Sequence, residues 1–302
     1  MVTSKDKRTP WLYVLPALFL LTVFLILPTL QTFWLSFHSG FGFNPTKFVG
    51  LENYIRLLTH DPFFLNLNRW PPSGAVVNNV LWLVLFTAGT VSIGLAIAVL
   101  ADRVRYEAVI KAVIFVPMVI SATAASVIFR FVYSSDATVG VINALLTGLF
   151  PRLEPVPWLG RTNLVNYAVI GAGVWIWTGL AMTVLSAAYK SLDREVLEAA
   201  AVDGANAWQT FWQITLPMLS QPITVVAITM VINALKMLDL ILVMTAGGPR
   251  NASRTIAFSM YWEVFNNTVA GYGSAIAMVL LLLVTPIIVL QIRRFRAEEG
   301  LR

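Results

Sequence analysis

Of the 302 residues, 58% are hydrophobic and 12% charged, and the net charge is +6. Soluble globular chains carry about 25% charged residues, so a water-soluble two-domain enzyme, a disordered chain and a fibre are all excluded. With no cysteine and two histidines, His38 and His60, there is no disulfide framework, thiolate site or zinc cluster, and no metal ligand is assigned.

An α-helix crosses a bilayer with about 20 mostly apolar residues. Six stretches satisfy this, 11–37, 75–101, 109–132, 164–189, 218–246 and 269–292. The chain therefore reads as all-α, a polytopic membrane protein whose residues 1–302 form one transmembrane domain. A β-barrel needs alternating strands, and continuous apolar runs such as Leu280 to Val284 reject it.

The first stretch follows Lys5, Lys7 and Arg8. It is too long for the core of a secretory signal and lacks a clean small-x-small cleavage site, so it reads as an uncleaved span. Asn78 and Asn79 open the second stretch and read as helix caps. The apolar run 139–150 is about a dozen residues long and reads as a short helix near the membrane surface. In the fourth span Gly173, Trp177 and Leu180 share a face. Trp177 sits near mid-span, either packed in the bundle or facing an interior path. Trp11, Trp34, Trp82, Trp208 and Trp262 read as membrane-belt or partner contacts.

Residues 191–217 form the most informative connection. Asp193 is suited to cap a helix, with Glu195 and Glu198 near its positive end. Ala199, Ala200 and Ala201 offer a surface for close approach, and Gly204 supplies the positive φ that ends the helix. Asn206 to Leu216 then forms a second amphipathic stretch with Trp208, Phe211 and Trp212, before Pro217 opens the next span. Within the fifth span lie Asn233, Lys236 and Asp239. Ionisable groups at that depth are costly and usually face a cavity. The bland reading pairs Lys236 with Asp239 on one helix. The sharper one places Asn233, Lys236 and Leu240 on a face lining an interior path.

Cation placement sets the topology. With the N-terminus inside, the inner segments hold twelve cations: Lys5, Lys7, Arg8, Arg103, Arg105, Lys111, Lys190, Arg194, Arg293, Arg294, Arg296 and Arg302. The longer outer segments hold eight: Lys47, Arg56, Arg69, Arg130, Arg152, Arg161, Arg250 and Arg254. Both termini are thus expected in the cytoplasm. Scattered cations on inner segments suit anionic lipid, not nucleic acid. No phosphate-binding loop, HExxH, GxSxG or paired intramembrane carboxylates occur, so no catalytic residue is assigned.

Three motifs carry a family resemblance. Glu198-Ala199-Ala200, then Asp203-Gly204-Ala205, then Ile214 and Leu216-Pro217 resemble the EAA loop of the membrane subunits of bacterial ABC importers. Phe48 to Tyr54, reading Phe-Val-Gly-Leu-Glu-Asn-Tyr, resembles the outer loop after span one of carbohydrate importer permeases. Met244 to Pro249, with Thr255 and Tyr261 to Phe265, resembles the segment after span five in MalF-type subunits. Asp193 stands where the family often has proline.

The resemblance implies a type I ABC importer permease fold in a bacterial inner membrane. It implies a second homologous, MalG-type permease, two copies of a cytoplasmic ABC ATPase and an extracytoplasmic sugar-binding protein. ATP and Mg would be bound by the ATPase, so this chain would need no cofactor. Glu198, Ala199, Ala200, Asp203 and Gly204 would couple to the ATPase. Gly173, Trp177, Asn233, Lys236 and Asp239 would line the substrate path. The cargo class would be an α-linked disaccharide, with glycerol-phosphate as runner-up. An ion- or proton-coupled secondary transporter, using Lys236 and Asp239, is the alternative, and a membrane scaffold is a third reading.

Overall fold

The computed structural model describes residues 9–67 and 73–299. Lys5, Lys7, Arg8, Arg69 and Arg302, which enter the charge argument, fall outside them. The described chain is helical almost throughout and divides into two compact units, 1–61 with 259–282 and 62–258 with 283–302.

In the first unit, α1 (Tyr13–Leu35) is exposed along nearly all its length, with Leu35 buried at its end. Its threonines hide their hydroxyls by bonding back one turn: Thr22, Thr29 and Thr32 donate to the Leu18, Leu25 and Pro28 carbonyls at 2.7–2.8 Å. That leaves an apolar outer surface suited to lipid. A small hairpin follows, β1 (His38–Ser39) pairing antiparallel with β2 (Lys47–Phe48), and then a short helix, α2 (Glu52–Ile55). Gly271 lies so close to this region that an added Cβ would stand 2.0 Å from the His38 carbonyl oxygen. Arg56 stacks 4.4 Å from the centre of the Tyr272 ring, whose hydroxyl donates to Asp61 at 2.6 Å.

The second unit is built on α3 (Ala75–Ala101) and α7 (Val165–Lys190), which pack along much of their length. Small residues make this possible. A Cβ on Gly94 would lie 2.7 Å from the Ala181 Cβ, and one on Gly173 would lie 3.0 Å from the Trp82 ring. On another face of α7, Gly179 faces the Ile114 carbonyl of α4 (Glu107–Val119), 2.7 Å from where a Cβ would stand. Of the four long apolar helices, α7 is the most buried.

The stretch 109–132, read from the sequence as one span, consists of two helices. α4 and α5 (Ala122–Val132) meet at a 102° bend. Pro117 lacks the N–H that would bond one turn back, Ile120 is extended, and Ser121 starts a fresh helix by accepting from Ala124 N at 3.2 Å. The short helix expected at 139–150 is present as α6 (Val141–Leu149).

Beyond α7 come α8 (Arg194–Val202) and α9 (Ala207–Met218), the latter bent 68° from α10 (Ser220–Leu235). α10 ends three residues before α11 (Asp239–Met244) begins. α12 (Ile256–Tyr261) precedes the final helix, α13 (Ala270–Glu299). Among the described residues, four helices are long and apolar enough to cross a membrane, or up to six if each bent pair is one span.

Candidate functional site

The connection after α7 is defined by capping chemistry. Asp193 accepts from Glu195 N at 3.0 Å and starts α8. At its end, Ala205 N bonds the Ala200 carbonyl at 3.0 Å and Gly204 N the Ala201 carbonyl at 3.1 Å, using carbonyls that a helix end leaves free. Gly204 has φ +83°, with open space where a Cβ would go. Its constraint is therefore conformational, not steric. Asn206 and Gln209 form a reciprocal capping box that starts α9.

Glu198, Ala199, Asp203 and Gly204 are exposed, whereas Ala200 is buried. Trp208 is 70% exposed and packs edge-on to Trp212. The result is a helix, a glycine turn and a second helix, capped at both starts and joined through Met218 to α10. Such an element can present a rigid helical face to another protein.

The same end of the second unit carries an ion cluster. Glu107, at the start of α4, pairs with Lys111 one turn on and with Lys190 at the end of α7, the latter at 2.7 Å. Lys111 also bonds the Ser186 hydroxyl. The Lys111 contact first, then Lys190, holds the Glu107 carboxyl below the usual carboxylate range. The cluster fastens α4 to the residue that leads into the capped loop.

The five path candidates are not equivalent. Trp177 on α7 is half-buried, whereas Gly173 is buried against Trp82 and Phe86 and serves the approach of α3. Asn233 is half-buried and donates to the Thr229 carbonyl of its own helix at 3.1 Å. Lys236 and Asp239 are both exposed, on either side of the helix break. No ion pair joins them among the described residues. The one-helix pair and the shared face of Asn233, Lys236 and Leu240 both assumed a continuous helix, which the break removes.

Three polar residues gain roles that the sequence did not disclose. Asn78 and Asn79 do not cap α3, whose N-cap is Gly74. Their buried side chains instead bond the segment 252–256. Asn78 Nδ2 donates to the Ala252 and Arg254 carbonyls at 2.8 and 2.7 Å, and Asn79 Oδ1 accepts from Ile256 N at 2.7 Å. Asn166 on α7 joins the same network. Trp82, expected in the membrane belt, is fully buried. The available signal was amide side chains recurring near the starts of apolar helices. Among the described residues, no three His, Cys, Asp or Glu side chains converge as metal ligands.

Residues 90–295 match the family described as binding-protein-dependent transport system inner membrane component. The chain is 46% identical to an osmoprotective compounds uptake permease protein of Synechocystis sp., covering 96% of this chain and 100% of that protein. It is 38% identical to an alpha-glucoside transport system permease protein of Rhizobium meliloti, over 99% and 87% of the two chains. A trehalose/maltose transport system permease protein of Thermococcus litoralis is 32% identical, over 97% and 96%. The fold resembles a chain from the crystal structure of a bacterial ABC transporter involved in the import of the acidic polysaccharide alginate. That match has a TM-score of 0.77 and 19% identity, covering 94% of this chain and 95% of that one.

Proposed function

We infer the function from one premise: this chain belongs to the family of binding-protein-dependent transport system inner membrane components, the multi-pass permease subunits of ABC importers. It is a non-catalytic membrane subunit, and the ion- or proton-coupled carrier reading is not favoured. On that premise we propose that it passes a small α-linked glucoside, a disaccharide such as trehalose or maltose, into the cytoplasm. The names of the Rhizobium and Thermococcus relatives support this cargo class.

The proposed assembly has a second permease, two ATPase subunits that bind ATP and Mg, and an extracytoplasmic sugar-binding protein. The observation that carries the coupling assignment is the exposed, doubly capped element from Asp193 to Met218, hinged at Gly204. Glu198, Ala199, Asp203 and Gly204 form the exposed part offered to the ATPase, while Ala200, of the same motif, is buried. Both termini are assigned to the cytoplasm, with the ion cluster of Glu107 and Lys190 on that side.

For the sugar path, the exposed Lys236 and Asp239 at the break, Asn233 before it and Trp177 on α7 are the proposed lining. Gly173 acts from behind them, by letting α3 approach α7. An indole face suits the apolar face of a sugar ring, and Lys236 suits its hydroxyls. The testing experiment reconstitutes the complex and measures ATP hydrolysis with and without binding protein and sugar. Stimulation requiring both supports the assignment. Hydrolysis indifferent to both would remove it.

A further inference from the structure

The fifth span breaks where its own sequence gives no reason to break. α10 ends at Leu235 and α11 begins at Asp239, yet no proline or glycine lies between Ile223 and Ala246. Helix interruptions ordinarily trace to Pro, to Gly, or to a group inserted into the backbone ladder. Inserted groups are present here. The Met237 carbonyl accepts from the Thr255 hydroxyl at 2.9 Å, and the Ala234 carbonyl receives the Asn79 amide at 3.4 Å.

Both side chains also serve the start of α12. Asn79 Oδ1 accepts from Ile256 N at 2.7 Å and Thr255 Oγ1 accepts from Phe258 N at 3.2 Å. Asn79 is 2% exposed and Thr255 fully buried. Two side chains thus join carbonyls at the break, of which Ala234 O also accepts from Met237 N at 3.4 Å, to the free N–H groups of a helix start. Met237 is buried on this side of the break, while Lys236 next to it is exposed.

We propose that Asn79 and Thr255 are positioning residues that hold the fifth span open at 236–238. They thereby set the direction of Lys236 and pass any displacement of the segment 252–256 to it. The proposal rests on the reading that Lys236 lines the sugar path. Without the two bonds, nothing in the local sequence keeps the helix from closing through 236–238. Lys236 and Asp239 would then become i, i+3 neighbours on one helix, with Lys236 turned from its present direction.

The absence of native cysteine permits a site-specific test. The assembled importer carrying Lys236→Cys in this chain is reconstituted in vesicles, and its labelling by a water-soluble methanethiosulfonate is timed. Labelling is compared in the parent, Thr255→Val, Thr255→Ser and Asn79→Leu backgrounds. Ser191→Cys serves as a distant control. Thr255→Val and Asn79→Leu should slow labelling at position 236 by about two- to tenfold, the equilibrium weight of one hydrogen bond. Thr255→Ser, which keeps the donor, should retain the parent rate, and the control thiol should not change. Prompt labelling at 236 that is equal in all four backgrounds overturns the positioning role while leaving Lys236 in the path. No labelling at 236 even in the parent overturns the path placement of Lys236 and the proposal with it.

Discussion

Asn166 of α7 donates its amide to Oδ1 of Asn78 on α3 at 2.9 Å, with both side chains buried. Each also donates to the Ala252 carbonyl at 2.8 Å. One backbone oxygen after α11 therefore fastens α3 and α7 together. Asn166→Leu removes two of these bonds and leaves Asn78 Oδ1 without that donor. The expected loss is about 1–3 kcal/mol, read as a lowered melting temperature in detergent. An unchanged temperature would mean that the network adds nothing net.

Gly94 tests the packing of α3 on α7. A Cβ there meets the Ala181 Cβ at 2.7 Å and Met182 N at 2.9 Å, whereas one at Gly148 meets nothing within 4 Å. Gly94→Val should destabilise by at least about 1–3 kcal/mol, the usual cost of overpacking. Gly148→Ala should be neutral or mildly stabilising, since it sits inside α6. Equal thermal stability of the two variants would contradict the close approach.

The pH dependence follows from Glu107, whose carboxyl is held below its ordinary range by Lys111 and Lys190. A depressed carboxylate contributes stability that is present above the unfolded value. That contribution is lost as pH falls through the lower, folded value. Glu107→Gln should therefore melt earlier than the parent at pH 7, and the two should converge in acid once the parent carboxyl is protonated. A gap that stays constant down to pH 3 would show that charge pairing is not the cause.

The sequence reading succeeded where structure is local. Apolar length marked the long helices, and Asp193 and Gly204 announced their turns because a cap or a positive φ involves neighbours only. It failed where partners are remote. Asn78 and Asn79 bond residues 155–177 positions away, so their short-range context resembled a helix start. Trp82 looked like a belt residue because its neighbour Gly173 lies on another helix. The break at 236–238 is imposed by Asn79 and Thr255 and leaves no proline or glycine to be read. Site residues on the capped loop were legible for the same local reason, and those around the break were only partly so.

Gly204 has φ +83° and an open surrounding, which separates backbone strain from crowding. A β-branched residue at that φ is a strong outlier, while asparagine tolerates it better. Gly204→Val should abolish stimulation of ATP hydrolysis by sugar and binding protein while the chain still inserts. Gly204→Asn should retain part of it. Full stimulation in Gly204→Val would detach the loop geometry from coupling.

The proposed role of this chain is the membrane path of an ATP-driven sugar importer. Uptake of radiolabelled trehalose or maltose into vesicles carrying the complete complex measures it most directly, with ATP inside, binding protein outside and a protonophore added or omitted. Uptake should need both ATP and binding protein and persist when the protonophore collapses the gradient. Uptake that proceeds without ATP and stops with the gradient would contradict it.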